Sequence, residues 1–278
     1  MKKINTLRTL AVLAGVFALT AFMSGCIGSE SEMVKLNGSS TVFPIAQRCA
    51  EKFDQEHDDI TVEVGAPPIG SGGGITQLGE GNIHIGAASR EIKQTEIDKF
   101  PNVDFTDNVI AFDGVAVIVS KDIYDAGVTG LTTAQLVDIY VGTVTNWMDV
   151  GGPDRQININ EREEGSGTHD TFMAAIDIEE TVANQAWPSN AEVKSAVSNS
   201  DNGIGYVGLG YVSNSTPALK LDGIAPSETT IKAGTYPISR SLHMYTDGAP
   251  KGAVKVFIDF VQSSAGQDII ADAGFIRL

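Results

Sequence analysis

Four times along the chain, a short apolar run ends in a loop of hydroxyl or glycine residues, and in three of these cases a helical pattern follows directly. Residues 34–37 lead into Gly38-Ser39-Ser40-Thr41-Val42-Phe43-Pro44, after which Ile45, Ala46, Cys49, Ala50 and Phe53 recur at helical spacing. Residues 60–64 alternate as a strand does and lead into Pro67-Pro68-Ile69-Gly70-Ser71-Gly72-Gly73-Gly74, with Ile75 and Leu78 opening a short helix. Residues 83–88 end at Ser89-Arg90, and residues 157–160 deliver Arg162-Glu163-Glu164-Gly165-Ser166-Gly167-Thr168, backed by apolar-rich turns at 171–176. Strands that alternate with helices predict an α/β fold, and such sheets carry their ligands beyond the carboxyl ends of the strands.

The loop chemistry narrows the ligand. Amides at a helix start lack intrahelical acceptors and sit at the positive end of the macrodipole, so they favour a phosphate, sulfate or carboxylate. Ser166 and Thr168 are good capping residues, the flanking glycines allow close approach to the backbone, and Arg162 has a planar fork suited to an oxyanion. Taken alone, that run also fits an ordinary capped surface helix. The glycine-rich loop at 70–74 contains no lysine and is neither a P-loop nor a dinucleotide fingerprint. A hydrolytic triad of Ser166, His169 and a nearby acid is the enzymatic alternative, but Gly165-Ser166-Gly167 lacks the full nucleophile elbow. No metal-ligand spacing occurs, so neither a metal nor a cofactor is expected.

Composition excludes other classes. The formal charge is −16, and a body this acidic repels nucleic acid. Residues 1–25 combine Lys2, Lys3 and Arg8 with an apolar stretch and the small residues before Cys26, which predicts a signal peptide. Its removal takes away three positive side chains and no acids, leaving −19. An anion site must therefore act through local dipoles and donors against the mean field. Met23-Ser24-Gly25-Cys26 resembles a lipobox, so Cys26 is the expected lipid attachment site, which places the body outside the cell, anchored to the outer face of the membrane. Cys49 is then the remaining thiol and is expected as a small buried hydrophobe. Residues 26–33 are expected as a flexible tether.

Residues 109–112 and 115–119 flank Asp113-Gly114 in one long extended run, expected to leave a first lobe and enter a second. Helices are expected at 132–140, 192–198, 253–261 and 265–271, and residues 219–221 and 231–233 are expected as added strands. Residues 242–246 are expected to return the chain to the first lobe, which then comprises 34–112 and 241–278 around a second lobe at 113–240.

Beyond about Leu36, the order of these pieces resembles the phosphate-binding proteins of ABC phosphate transporters, the PstS type: Gly38-Ser39-Ser40-Thr41, Gly70-Ser71-Gly72-Gly73, Ala88-Ser89-Arg90, Asp113-Gly114, Asn146-Trp147, Arg162 through Thr168, Ile204-Gly205-Tyr206, Tyr236-Pro237 and Gly266-Gln267. The resemblance implies two α/β lobes of periplasmic-binding-protein type, joined by two crossing strands, that close over inorganic phosphate and present it to a permease. It implies a phosphate site of Ser40, Thr41, the Val42 amide and Ser71 facing Arg162, Ser166, the Gly167 amide and Thr168, with Ser89 and Arg90 at the same cleft and Glu164 steadying the Arg162 fork. Some members have an aspartate where this chain has Arg90, and that aspartate accepts the proton of hydrogen phosphate. Arg90 has no acceptor, so Glu164, Glu91, Asp113 or a hydroxyl must take the role, and sulfate or a larger oxyanion is the alternative ligand.

Overall fold

The computed structural model describes residues 31–278. The expected signal peptide, Cys26 and residues 26–30 of the expected tether lie outside the described residues. The first strand begins earlier than expected: β1 (Glu32–Gly38) includes Glu32 and Met33, because both pair with the next strand, β2 (Ile60–Val64).

In the first stretch, α1 (Phe43–Asp54) separates β1 from β2, α2 (Gly70–Gly79) leads to β3 (Ile85–Ala88), and α3 (Gln94–Lys99) precedes the long β4 (Phe105–Val119). The middle of the chain contains α4 (Lys121–Asp125), β5 (Gly130–Leu131), α5 (Thr133–Tyr140), β6 (Asn158–Arg162), α6 (Gly167–Ile176), β7 (Gln185–Trp187), α7 (Asn190–Ser198) and β8 (Gly203–Gly208). Then come β9 (Lys220–Leu221), α8 (Glu228–Lys232), β10 (Ser239–Asp247), α9 (Gly252–Gln262) and α10 (Ser264–Asp272). Residues 231–233 end α8 rather than forming a strand. Ser227 and Thr230 cap that helix reciprocally, and a three-residue apolar run has no period strong enough to overrule a cap.

Eight strands form one sheet in the order β2-β1-β3-β10-β4-β8-β6-β7. β4 joins its two ends: residues up to Gly114 pair with β10, and Val115 to Val119 pair with β8. Two apolar cores result. One packs β1, α1, β2, α9 and α10 around Phe53 and Phe257; the other packs the end of β4, α5, β6, α6 and β8 around Tyr140, Trp147, Phe172 and Tyr206. α1 shows how the sequence dictates this: Pro44 starts it, and Ile45, Ala46, Cys49, Ala50 and Phe53 form its buried stripe. Cys49 is fully buried, which pushes its thiol up to about 12. The strands β1, β2, β3 and β6 thereby aim their carboxyl ends at one region between the cores.

A sealed hydroxyl cradle and its arginines

The loops after β1, β2, β3 and β6 meet there. Ser40 and Thr41 precede α1, Ser71 lies in the first turn of α2, Ser89 follows β3, and Ser166 and Thr168 open α6; each is at most 4% exposed. Thr41 Oγ1 lies 3.2 Å from Thr168 Oγ1, and Ser71 Oγ lies 3.4 Å from Ser89 Oγ. Only glycine fits at position 167 against the serine pair, since a Cβ there would come within 2.5 Å of Ser71 Oγ and 2.6 Å of Ser89 Oγ. The opposed loops also touch through backbone, where the Gly72 amide donates to the Gly165 carbonyl at 3.0 Å. Gly70, at φ 79°, opens α2 in the left-handed region that glycine adopts without strain.

The helix starts are finished differently. Ser166 Oγ accepts from the Thr168 and His169 amides, so its oxygen is engaged as a cap and not directed by the His169 ring. Val42 and Ile69, at the N-caps of α1 and α2, provide no side-chain cap.

Arg162 ends β6 and is 2% exposed. Its Nε donates to the Trp187 carbonyl at 3.1 Å and its Nη2 to the Pro188 carbonyl at 2.7 Å, while its amide donates to Tyr206 Oη at 3.2 Å. Glu164 does not hold this fork, as the resemblance implied. It is exposed, and neutral carbonyls take its place because the turn after β7 brings Trp187 and Pro188 against the guanidinium. Among the described residues, no carboxylate pairs with Arg162. Burial therefore pulls its pKa down to about 10, and the nearby charge of Arg240 pulls the same way. A cavity of about 270 Å³ is lined by Gly70, Arg162, Glu164, Ser166 and Pro188.

Arg90, expected at the anion, gives three donors to acids: Nε to Asp170 Oδ2 at 2.7 Å, Nη1 to Glu96 Oε2 at 2.8 Å, and Nη2 to Glu96 Oε1 at 2.7 Å. Nη1 also donates to the Glu91 carbonyl. Burial lowers its pKa, yet Glu96 and Asp170 outweigh that and the net shift is upward. Lys93 reaches the same Asp170 oxygen at 2.8 Å, so Arg90 and Lys93 tie the start of α3 to α6. Burial raises the Asp170 carboxyl, but the neighbouring His169, Lys93 and Arg90 hold it well below the usual carboxylate range.

Two residues at the cradle escaped the sequence reading. Arg240 opposes Asp113 directly across β10 and β4, and both are buried. Asp113 Oδ2 accepts from Arg240 Nε at 2.9 Å and Nη2 at 2.7 Å, while Oδ1 accepts from the Leu209 amide. Burial works against both charges, drawing Arg240 down and Asp113 up, and their pairing offsets part of that. The remaining Arg240 donors reach Thr41 Oγ1 at 3.1 Å and Thr168 Oγ1 at 3.0 Å. Asn190, at the start of α7, donates from Nδ2 to Ser40 Oγ and Thr41 Oγ1 and accepts the Gly208 amide at Oδ1. An aspartate within the expected outgoing run and an arginine just before the expected returning run at 242–246 were the available signal for the pair; Asn190 gave none beyond its place at a helix start.

Relatives match over most of the chain. A PBP superfamily domain matches residues 27–265. The phosphate-binding protein PstS of Bacillus subtilis is 32% identical over 249 residues, covering 88% of this chain and 81% of that protein. The PstS of Borreliella burgdorferi is 31% identical and covers 96% of this chain and 98% of its own length. A phosphate ABC transporter substrate-binding protein from Clostridium perfringens, solved with bound phosphate, superposes with a TM-score of 0.83 at 34% identity, over 89% of this chain and all of that one. The fold is thus the two-lobed periplasmic-binding-protein type, and the chain belongs to the PBP superfamily and, within it, to the PstS-type phosphate-binding proteins.

Proposed function

We propose that this protein captures inorganic phosphate in the hydroxyl cradle and delivers it to the permease of an ABC transporter. The observation that carries this reading is Arg162, a guanidinium sealed from solvent and matched only by neutral groups. Burying a charge without its partner costs several kcal/mol, so the site is complete only with an anion in it. Arg162, Ser166, the Gly167 amide and Thr168 then face Ser40, Thr41, the Val42 amide, Ser71 and Ser89 around the ion. Each hydrogen bond to the charged ligand contributes about 1.5–3 kcal/mol.

Residues 34–112 and 241–278 form one lobe and 113–240 the other, and they swing about the paired strands β4 and β10 near Gly114 and Pro237. Lipid on Cys26 anchors the protein to the outer face of the membrane, where it meets the permease. Among the described residues, no helix is long and apolar enough to cross a membrane. The protein binds and releases its ligand without chemical change, in keeping with Ser166 acting as a helix cap.

Isothermal titration with inorganic phosphate tests the reading. Saturable binding of one ion per chain, with a higher melting temperature in its presence, is expected. No heat of binding and no thermal shift at millimolar phosphate would overturn it.

A further inference from the structure

The cradle's hydroxyls can each donate or accept, and their fixed neighbours decide which. The Gly208 amide donates to Asn190 Oδ1 at 3.1 Å, which turns the Asn190 amide so that Nδ2 must face Ser40 and Thr41. Thr41 Oγ1 then receives Asn190 Nδ2 at 2.9 Å and Arg240 Nη2 at 3.1 Å. Both of its lone pairs are used, so its own proton points at Thr168 or at a ligand. Thr168 Oγ1 already receives Arg240 Nη1 at 3.0 Å and cannot donate to Thr41, so its proton also points outward. Ser40 Oγ receives Asn190 Nδ2 at 3.1 Å and the Asn190 amide at 3.4 Å, with the same result. Each of these three hydroxyls therefore has its proton free for a partner in the cradle, and Thr168 Oγ1 has its second lone pair filled only when Thr41 donates to it.

A hydrogen phosphate ion has a proton of its own and needs one acceptor. Asp113 spends its oxygens on Arg240 and the Leu209 amide, Glu91 is exposed, and Glu164, also exposed, lines the Arg162 cavity as a carboxylate whose charge repels the anion. Ser71 Oγ receives the Ser89 amide at 3.1 Å. Among the described residues, Ser89 Oγ has only Ser71 Oγ as a hydrogen-bond partner, at 3.4 Å. Whichever serine donates across that contact, Ser89 Oγ keeps a free lone pair, 1% exposed and against Gly167.

We propose that Asn190 and Arg240 are positioning residues that fix Ser40, Thr41 and Thr168 as donors, and that Ser89 Oγ accepts the hydrogen bond given by the ligand's own O–H. This rests on the phosphate-binding reading above and names the group that separates hydrogen phosphate from sulfate, which has no proton at neutral pH. A site with an acceptor leaves it unpaired against a fully ionised anion, and the mismatch disfavours that anion.

Calorimetric titration of phosphate and sulfate into wild type, Ser89→Ala and Asn190→Ala tests it. Ser89→Ala is expected to weaken phosphate about tenfold or more while sulfate holds or improves, so the ratio of the two affinities falls. Asn190→Ala is expected to weaken both anions together and leave the ratio in place. Ser89→Cys, whose sulfur is a weak hydrogen-bonding group, is expected to lower the ratio as well, and guards against a folding defect in the alanine variant. With the unmodified chain, arsenate, protonated like phosphate, is expected to compete, and selenate, unprotonated like sulfate, to fail. An equal loss of both anions in the Ser89 variants, or equal competition by arsenate and selenate, overturns the inference and leaves phosphate capture standing. A wild type that binds neither phosphate nor sulfate overturns both.

Discussion

Arg90 and Arg162 lie at or just beyond strand ends, both nearly sealed from water, and their surroundings are opposite. Arg90 meets two carboxylates, which raise its pKa against the pull of burial. Arg162 meets carbonyl oxygens, and burial lowers its pKa to about 10. A buried cation already matched by acids is a tie between elements. One matched by neutral dipoles has a place for a mobile anion. Arg240 stands between the two cases: Asp113 balances its charge, and its spare donors orient the cradle.

That contrast predicts what each acid does. Asp113→Asn turns Arg240 into a second buried arginine without a carboxylate, and the largest loss of stability is expected there, about 3–5 kcal/mol by urea unfolding. Added phosphate should raise the melting temperature of this variant more than that of wild type. An unchanged unfolding midpoint would mean that the pair on the crossing strands does not hold the fold.

A smaller cost is expected from Arg90→Ala. Its partners Glu96 and Asp170 are partly solvated, so about 1–3 kcal/mol of stability is lost. A fall in phosphate affinity as large as that from losing Arg162 would place Arg90 at the ligand after all.

The smallest effect is a matter of pH. The Asp170 carboxyl is held below its unfolded value, so its contribution to stability is complete above that unfolded value and is lost as pH falls through the folded one. Wild type should therefore lose stability in acid more steeply than Asp170→Asn, which has no such proton to take up. Parallel acid profiles by urea titration would remove the tie between α3 and α6 from the account.

The hydroxyl loops were legible because local pattern suffices to find them: Ser40, Thr41, Ser71 and Thr168 each sit where an apolar run gives way to a helix start. Arg90 could be read only by its place after Ser89: of its acidic partners, Asp170 is 80 residues away on another element and Glu96 is six residues on, past the loop. Arg240 and Asp113 are 127 residues apart and meet through strand register, which a single sequence does not display. Glu164 was close to Arg162 in sequence, but the chain turns it to solvent and brings Trp187 and Pro188 in from β7. Chemistry confined to one loop could be read; chemistry assembled by pairing across the sheet could not.

The most direct measurement is phosphate affinity by calorimetry in Arg162→Ala and Arg90→Ala side by side. Losing Arg162 is expected to weaken binding about a hundredfold or more, through at least one charge-assisted bond and the ion's counter-charge, while the ligand-free protein melts no lower than wild type. Losing Arg90 is expected to leave affinity within about threefold, since its charge is already balanced by Glu96 and Asp170. Equal losses, or an Arg162→Ala variant that binds phosphate as wild type does, would contradict the account.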